Sequence, residues 1–445
     1  MPPDADPQAP LVRRKKEVVN AVFSTWLGTT MEYVDFALYG LAAGLVFGDV
    51  FFPGASPAVA LLSGFSTYAV GFLARPVGAF VFGRFGDKYG RKAVLVITIS
   101  MMGAATTLIG LLPGYAQVGF WAPALLVVLR LMQGFGAGAE LSGGVILLAE
   151  HAPARHRGLV SSVIALGSNS GILLSSGVWL LIMQLPMSDV VGWAWRIPFV
   201  GSALITIVAL VIRRSLTESP VFEQHKTDAT AQGLVRNTDR RIARSGSSKA
   251  FFVMLGLRVA ENGPSYLSQT FMVGYVAKVL VVDQSVPATA VFIASVLGLA
   301  IIPLTGYLSD RFGRRPVYRF FCAALTVFPF PAYALLDTRN PAIIFAVIVV
   351  GVSLACVGIF AAQAAYGVEL FGIRNRYTKM AMAKEIGAMF SGGIAPVAAS
   401  ALLVAFGHWW AVAAYFCIMA LIGFVTTLVA PETRGRDLTL AEDAS

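Results

Sequence analysis

The residues best able to do chemistry are ionisable side chains that lie inside long apolar stretches of the sequence. The first such stretch contains Glu32 and Asp35, and Tyr39 follows one helical turn further on. In a helix these three side chains share one face. Two carboxylates so close together repel each other when both are ionised, which favours protonation of one of them. We therefore expect Glu32 and Asp35 to bind and release a proton, unless one of them simply pairs with a basic group on another helix.

A second candidate group begins at Arg130 and Gln133 and continues into a glycine-rich run. The spacing of Gly134 and Gly138 is typical of helices whose backbones approach closely. Helix packing explains the glycines but leaves Arg130 unexplained. Glu140, further along the same helix, is either the charge partner of Arg130 or a second proton site.

A third group opens the second half of the chain. Arg258 and Glu261 are three positions apart and are followed by Gly263-Pro264, which can break or bend a helix. Discontinuous helices often form binding sites in transporters. The planar fork of Arg258 suits a carboxylate, although a self-neutralising pair with Glu261 is the alternative. Three neighbouring side chains could offer hydrogen bonds towards a cavity: Asn262, Tyr266 and Gln269.

The fourth group is the adjacent pair Lys384 and Glu385. Successive helical residues point about 100° apart, so one side chain can face a cavity while the other pairs with a neighbouring helix. We expect Lys384 to be a second anion-binding residue. Lys379, nearer the helix end, is expected to extend its ammonium group to the membrane surface.

The elements that hold these groups are predicted to cross a membrane. Hydrophobic residues make up 57% of the 445 residues and charged residues only 13%, whereas soluble domains carry about 25% charged residues. Lipid must therefore be the solvent for most of the surface. The net charge of +10 does not indicate a nucleic-acid partner, because most Lys and Arg residues fall in one alternating set of loops and in the termini. This asymmetry is typical of cytoplasmic loops and predicts that both termini are cytoplasmic.

Stretches of about 20 mostly apolar residues, each long enough to cross the bilayer, predict twelve transmembrane helices. The expected fold is all-α, with two six-helix bundles related by a pseudo-two-fold axis. The helices are expected near 18–47, 59–83, 93–113, 121–149, 159–183 and 194–213, and then near 250–281, 288–308, 316–336, 341–371, 377–405 and 409–430. The predicted organisation is a cytoplasmic tail over 1–17, bundles over 18–213 and 250–430, a cytoplasmic linker over 214–249 and a second tail over 431–445.

A repeated loop supports the division into halves. The loop after the second predicted helix reads GRFGDKYGRKAV (83–94), and the loop after the eighth reads GYLSDRFGRRPV (306–317). Internal repeats of this kind place a binding site at the interface of the halves, near the membrane midplane. Charged residues near the loops are expected to form gating salt bridges that break during the transport cycle. They are Arg75, Asp87, Arg91, Glu150, Arg155, Arg157, Asp310, Arg311, Arg314 and Glu369.

The paired loops resemble the loop signature of the major facilitator superfamily. Further stretches resemble its metabolite:proton symporter branch: MEYVDFALYG (31–40), FLARPVGAFVFGRFGDKYGRK (72–92), RLMQGFGAGAELSGG (130–144), LLAEHAPARHRGLVSS (147–162), WAWRIPF (193–199) and LTESPVF (216–222). The resemblance implies alternating access and the coupled entry of protons with carboxylates, polyols or zwitterionic osmolytes. It also associates the arginine matching Arg130 with proton coupling or anion binding.

Two stretches depart from related patterns. The eleventh predicted helix reads RYTKMAMAKEIGAMFSGG (376–393), where many relatives carry small residues and a Tyr-Gln pair. The usual substrates therefore cannot simply be carried over to this chain. The fifth helix, ALGSNSGILLSSG (165–177), lacks the Gly-Pro signature of drug:proton antiporters, which disfavours multidrug efflux.

These observations predict a secondary transporter in a bacterial inner membrane. We expect proton-coupled uptake of a small organic acid or zwitterion with a carboxylate, and an exporter or uncoupled facilitator is the alternative. The expected proton-coupling residues are Glu32, Asp35, Arg130 and Glu140, and the expected substrate-binding residues are Tyr39, Gln133, Arg258, Glu261, Asn262, Tyr266, Gln269, Lys384 and Glu385. No motif of a membrane-embedded enzyme is present. We expect no cofactor, no metal and no nucleic acid, only the substrate, the proton and the lipid bilayer as partners, and a functional monomer.

Overall fold

The computed structural model describes residues 9–89, 91–138, 152–215, 248–372 and 376–438, together with 145–146, 148–149, 440 and 442–444. Within these residues the regular secondary structure is entirely helical. An α-helix satisfies its backbone N–H and C=O groups within one segment, which a hydrocarbon solvent requires.

The first half of the chain folds into six long helices. They are α1 (Ala9–Leu45), α2 (Pro57–Tyr89), α3 (Arg91–Leu111), α4 (Trp121–Ala137), α5 (Val163–Ile182) and α6 (Arg196–Ser215). Short helices connect or precede them: Phe47–Phe51, Tyr115–Val118, Ala154–His156, Arg157–Ser161, Met187–Asp189 and the π-helical turn Val190–Ala194.

The second half contains six more long helices, three of which include π-helical turns. Helix α7 runs through Ser248–Tyr266, Leu267–Phe271, Met272–Gly274 and Tyr275–Val279, α8 is Ser285–Phe312, and α9 consists of Arg314–Val327 and Pro329–Leu336. Helix α10 runs through Pro341–Val352, Ser353–Gly358 and Ile359–Glu369, α11 through Arg376–Ala388, Met389–Gly393 and Ile394–Phe406, and α12 is Trp409–Val429. The π-helical turns are Leu267–Phe271, Tyr275–Val279, Ser353–Gly358 and Met389–Gly393.

Six of the described helices are long and apolar enough by themselves to cross a membrane: α2, α5, α8, α10, α11 and α12. The bent helices α6 and α9 raise this number to eight when each is counted as one crossing, and α3 and α4 each contain a shorter apolar helix. Helices α1 and α7 are long but carry the acidic and basic side chains of the first and third candidate groups. The predicted twelve-helix architecture is confirmed, and its two most polar helices are those with candidate site residues.

The helices form two bundles that contact each other in a symmetric way. Within the bundles α1 packs on α5, α2 on α4 and α3 on α6, and α7 packs on both α11 and α12. Between the bundles α2 contacts α11, α5 contacts α8, and α1 contacts α7. A pseudo-two-fold axis pairs α1 with α7, α2 with α8 and α5 with α11. It therefore relates the α2–α11 contact to the α5–α8 contact and maps the α1–α7 contact onto itself.

Glycines allow α2 and α4 to approach closely, as the spacing of the glycine-rich run predicts. A Cβ atom added to Gly134 would lie 1.8 Å from the carbonyl oxygen of Gly71, and one added to Gly138 would lie 2.0 Å from that of Arg75. Larger residues could not occupy these positions without separating the helices. The close approach carries Arg130 and Arg75 into the same region between the bundles.

The bundles are in contact at both ends of the molecule. At the end with the loop 306–317, called the loop end below, a Cβ atom on Gly306 would lie 2.9 Å from the carbonyl oxygen of Gly158 on the other bundle. At the opposite end, a Cβ atom on Gly44 would lie 3.3 Å from the Cα atom of Gly274, and Lys278 forms an ion pair with Asp49 nearby. The two bundles therefore touch each other at both ends of the space between them.

Some element boundaries differ from the prediction. Helix α1 begins at Ala9, where a tail over 1–17 was predicted, because Arg and Lys are good helix formers despite their polarity. Helix α6 extends to Ser215 and α7 begins at Ser248, so most of the predicted linker 214–249 lies outside the described residues. Arg436 in the predicted tail 431–445 donates a hydrogen bond of 3.0 Å to the carbonyl oxygen of Glu369.

Candidate functional site

Eight ionisable side chains lie buried at the interface of the bundles or directly beside it, and we call them the central cluster. Each is at most 8% exposed, although the charges come from five different helices. The members are Glu32 and Asp35 on α1, Arg75 on α2, Arg130 on α4, Arg258 and Glu261 on α7, and Lys384 and Glu385 on α11. Charges at bilayer depth cost several kcal/mol unless they are paired, so such a group is a functional site by default.

Arg75 joins the two bundles at the centre of this cluster. Its Nε atom donates to Glu385 of α11 at 3.1 Å, and its Nη2 atom contacts Glu32 of α1 at 3.4 Å. Arg75 was predicted to lie in the cytoplasmic third of the second helix and to form a structural or gating contact with the charged loop. Its described partners are instead the two carboxylates, because α2 packs against both α1 and α11; a gating role for Arg75 stays a prediction.

The two adjacent charged residues on α11, Lys384 and Glu385, have different surroundings. Glu385 forms the inter-bundle contact with Arg75, whereas Lys384 is only 3% exposed and forms no ion pair with any described residue. The Lys384 charge still interacts electrostatically with the charges of Arg258, Glu385 and Glu261. Glu385 thus bonds across the interface between the bundles, while the Lys384 ammonium group is left without an ion pair among the described residues.

On α7, the predicted pairing of Arg258 with Glu261 is present as a buried ion pair. This is the self-neutralising arrangement that the sequence left open. Asn262, the next residue, is 3% exposed, and its Nδ2 atom has no hydrogen-bond partner in the described chain. Asn262 lies against Gly392 and Arg258 lies against Gly387, so α7 and α11 run side by side with their polar groups between them.

Arg130 is held by polar and aromatic neighbours. It donates to the side chain of Gln133 and, at 3.2 Å, to the backbone carbonyl of Tyr68. Gln133 in turn donates to Thr106 at 2.7 Å. The guanidinium carbon lies 3.9 Å from the centre of the Tyr39 ring, a cation–π contact that helps to keep a buried guanidinium charged.

Aromatic side chains line the space beside the charges. Tyr68, Phe72 and Tyr266 meet edge to face, with ring centres 5.3 to 5.7 Å apart. Next to them lies a small cavity between the bundles, whose lining residues include Tyr33, Phe36, Tyr68, Ile172, Tyr266 and Gln269. Of the predicted substrate-binding residues, Tyr266 and Gln269 line this cavity, and Tyr39 instead donates a hydrogen bond of 2.7 Å to Thr67.

A second charged group, called the loop-end latch, holds the bundles together at the loop end. It consists of Arg157, Asp310, Arg314 and Glu369. Glu369 binds Arg157 of the first bundle at 3.0 Å and Arg314 of the second at 2.9 Å. Asp310 accepts hydrogen bonds of 2.7 and 2.9 Å from the backbone N–H groups of Gly158 and Leu159 at the start of the α5 region.

The remaining predicted gating residues have other positions. Arg155 is exposed, and Arg311 is exposed with its guanidinium over the ring of Phe312 at 5.5 Å. The side chains of Asp87 and Arg91, and the residues Glu140 and Glu150, lie outside the part of the chain whose side chains are described. Their predicted roles stay predictions.

Other contacts were not anticipated from the sequence. Two of them are ion pairs, of Asp49 with Lys278 and of Lys379 with Asp443 at 2.8 Å. Two are hydrogen bonds of 2.8 Å, from the backbone N–H of Arg314 to Glu432 and from the Arg157 side chain to the carbonyl oxygen of Arg436. These pairs join residues far apart in the chain, so no local pattern could reveal them. The one available signal was the basic Lys278, which is unusual in its set of loops.

The arrangement provides ion pairs and hydrogen bonds for binding. In the described part of the chain, no group of three or more His, Cys, Asp or Glu side chains could hold a metal ion. A buried carboxylate next to a guanidinium group can take up a proton when its ion pair breaks and release the proton when the ion pair forms again. An ammonium group without an ion pair can bind an anion.

Sequence comparisons identify relatives along nearly the whole chain. The putative transporter YdfJ of Escherichia coli strain K12 is 41% identical over 93% of this chain and 96% of its own length. The shikimate transporter of the same organism is 34% identical over 93% of this chain and 94% of its own length. The proline/betaine transporter of Escherichia coli strain K12 is 35% identical over 96% of this chain and 86% of its own length.

The fold also matches solved structures. The proton:xylose symporter XylE bound to 6-bromo-6-deoxy-D-glucose superposes with a TM-score of 0.71 and 18% sequence identity, covering 96% of this chain and 99% of the other. At this identity the match shows the shared fold. The sequence profile described as Major Facilitator Superfamily matches residues 25–383 and 262–444. The chain is therefore a multi-pass membrane transporter, not an enzyme, and it belongs to the major facilitator superfamily.

Proposed function

We propose that this transporter couples the entry of a small carboxylate-bearing metabolite to the entry of a proton by alternating access. The observation that carries the proposal is the central cluster. Carboxylates from both bundles share one guanidinium, Arg75, while Lys384 has no ion-pair partner among the described residues. Such a site can bind an anion at one group and a proton at another.

The relatives support this proposal. Two of them are named as transporters of shikimate and of proline and betaine, and all three compounds carry a carboxylate. The resemblance to metabolite:proton symporters adds the proton as the driving ion. The departure at Lys384 and Glu385 leaves the individual substrate to be determined by experiment.

The proton is proposed to act on the contact between the bundles. Glu385 and Glu32 each need a positive partner while they are ionised, because an unpaired charge at this depth costs several kcal/mol. A proton on Glu385 removes that need and weakens its bond with Arg75. The α2–α11 contact can then open, and the bundles can rotate against each other. Asp35 and Arg130 are proposed to share in this exchange, and Glu140 is retained as a candidate outside the described residues.

The two ends are proposed to act as alternating gates. We propose that the loop end faces the cytoplasm, with both termini and the linker 214–249 on the same side. The loop-end latch then closes the cytoplasmic gate, and the Asp49–Lys278 pair lies at the outer gate. A full set of charged groups within one chain supports a functional monomer that needs no cofactor beyond the proton gradient.

Uptake into proteoliposomes tests the proposal directly. Purified protein is reconstituted at alkaline internal pH and diluted into acidic buffer with radiolabelled shikimate, proline or glycine betaine. We expect at least one of these probes to accumulate above its external concentration, and a protonophore to abolish the accumulation. Protein-dependent uptake that ignores both the pH gradient and the protonophore would indicate a facilitator and contradict proton coupling.

A further inference from the structure

We propose that the substrate is an organic acid whose body carries no positive charge, rather than a zwitterion such as a betaine or an amino acid. This inference rests on the proposed function and specifies its substrate class. It follows from three features of the central cluster: the carboxylates have partners, four aromatic rings beside them already lie close to guanidinium groups, and one ammonium group and one amide N–H group have no partner among the described residues.

Each acidic side chain of the central cluster already has a partner within the protein. The one fully buried carboxylate oxygen that accepts no hydrogen bond from a described residue, Glu32 Oε2, belongs to a side chain that binds Arg75. Glu385 and Glu32 bind Arg75, and Glu261 forms a buried ion pair with Arg258. Asp35 also has a partner, and its charge interacts with that of Arg130. A substrate cation would have to displace a guanidinium group and leave it buried without its carboxylate, which is strongly unfavourable.

Most of the aromatic rings beside the charges already lie close to a cation of the protein. Quaternary ammonium groups are usually bound over the faces of aromatic rings. Here the guanidinium of Arg130 lies 3.9 Å from the centre of the Tyr39 ring and 5.1 Å from that of Tyr68. Arg75 lies 5.0 Å from the centre of the Phe36 ring and 5.5 Å from that of Phe72. These four rings therefore already have a cation of the protein beside them. Tyr33 and Tyr266, which also line the cavity, lie within the electrostatic influence of Arg258, and Tyr266 also within that of Arg75, so a substrate cation placed there would be repelled by like charges.

Two buried groups of the central region have no partner among the described residues, and they favour a ligand with an anionic group and a neutral hydrogen-bond acceptor. The Lys384 ammonium is buried without an ion pair among the described residues, and the Asn262 amide N–H is buried without an acceptor. Asn262 packs at the level of Gly392 on α11. Eight residues separate Gly392 from Lys384, which corresponds to about 12 Å along the helix axis. We infer that the substrate carboxylate binds Lys384 and that an uncharged oxygen accepts the Asn262 hydrogen bond.

Beyond Asn262 the space suits an uncharged body. Tyr266 is one turn further along α7 and lines the cavity, together with Leu41, Ile172, Val291 and Gln269. These side chains are apolar or neutral. A positive charge placed there would lose its hydration without gaining a carboxylate. An aliphatic body would lose little, and a hydroxyl group could form hydrogen bonds with Gln269 or Tyr266.

Matched pairs of ligands test the inference in the absence of a known substrate. Glycine betaine and tert-butylacetate have the same shape, but the betaine has a cationic nitrogen where the acid has carbon. Proline and cyclopentanecarboxylate form a second pair. Binding to the purified transporter is measured in detergent by thermal-shift titration, because such acids also cross lipid bilayers in their protonated form. We expect the acid of at least one pair to bind at least tenfold more tightly than its zwitterionic counterpart.

Variants locate the binding. Lys384→Met is expected to weaken acid binding about 10- to 100-fold, as expected for the loss of a hydrogen bond to a charged group, and Lys384→Arg is expected to restore part of it. Lys379→Met is the matched control, because it removes the same kind of charge from the same helix, in the ion pair with Asp443 outside the cluster. If Lys384→Met does not yield folded protein, Asn262→Ala serves instead and is measured with shikimate, because shikimate has hydroxyl oxygens that can accept the Asn262 hydrogen bond and the two acid probes have none. The expected loss is about threefold to tenfold.

Binding and flux together separate this inference from proton coupling. Tighter binding of the zwitterion in both pairs, or no binding by any of the four ligands, would overturn the substrate assignment. So would proton-driven accumulation of proline or glycine betaine but not shikimate, a result that leaves coupling intact. Acid binding that depends on Lys384, with shikimate uptake that ignores the pH gradient, would support the substrate class and overturn the coupling.

Discussion

At the scale of single residues, Arg75 shows what a sequence can and cannot predict. The sequence identified Glu32, Asp35, Glu385 and Arg75 as ionisable groups within or near apolar helices. It could not identify the Arg75–Glu385 contact, because the two residues are 310 positions apart and belong to different bundles. By contrast, the Arg258–Glu261 pair lies within one helix turn and was considered from spacing alone.

The Arg75→Gln variant is expected to destabilise the transporter. It removes the shared partner of Glu32 and Glu385, and breaking a buried ion pair from one side typically costs about 3–5 kcal/mol. The free energy of unfolding, measured in mixed detergent micelles, should fall by roughly that amount. The double variant Arg75→Gln/Glu385→Gln should recover part of the loss. A double variant that is no more stable than the single one would show that Glu385 is not the relevant partner.

At the scale of helices, hydrophobic length and glycine spacing predicted most of the architecture. The glycine-rich run of α4 does pack closely on α2, and the apolar stretches do form helices. The sequence placed the start of α1 too late, at residue 18 instead of Ala9, because hydropathy marks where lipid begins and not where a helix begins. The π-helical turns in α7, α10 and α11 depend on packing between helices, so no simple periodicity predicts them. Such turns are frequent at functional sites.

Gly134→Ala is expected to disturb the packing of α2 on α4. The new Cβ atom would meet the carbonyl oxygen of Gly71 at 1.8 Å, so the helices must separate. Overpacking of this kind costs about 1–3 kcal/mol or more, and a lower thermal midpoint in detergent should reveal it. Gly201→Ala on α6 is the matched control, because nothing lies within 4 Å of its added Cβ atom. Equal thermal midpoints for the two variants would contradict the close packing.

At the scale of the whole molecule, the repeated loops predicted two related bundles, and the contacts of α2 with α11 and α5 with α8 have the expected symmetry. The sequence also placed Arg157, Asp310, Arg314 and Glu369 together as gating residues. They meet in the loop-end latch, although their gating role is still a prediction. What the sequence could not predict is that the bundles touch at both ends, since alternative arrangements of the same bundles share the same sequence pattern.

Glu369→Gln is expected to open the loop end more often. It removes the charge that joins Arg157 to Arg314, and a loss of about 1.4 kcal/mol changes a conformational equilibrium tenfold. A cysteine at Ser162, which is 2% exposed, reports the change after the native cysteines are replaced. Its reaction with an impermeant maleimide should be at least tenfold faster in the Glu369→Gln background. Asp49→Asn, which breaks the ion pair at the opposite end, is the control and should not speed up the reaction. An unchanged rate in the Glu369→Gln background would show that the loop-end latch does not control opening of this end.

The most direct test of the central claim is to follow internal pH while substrate enters proteoliposomes. The internal and external pH start equal, and the substrate identified by the uptake assay is supplied from outside, with a second set of liposomes without protein as the control for passive entry. Proton-coupled entry predicts that the lumen becomes more acidic as substrate flows in, and that the acidification exceeds the control. Protein-dependent entry of substrate at constant internal pH would contradict it.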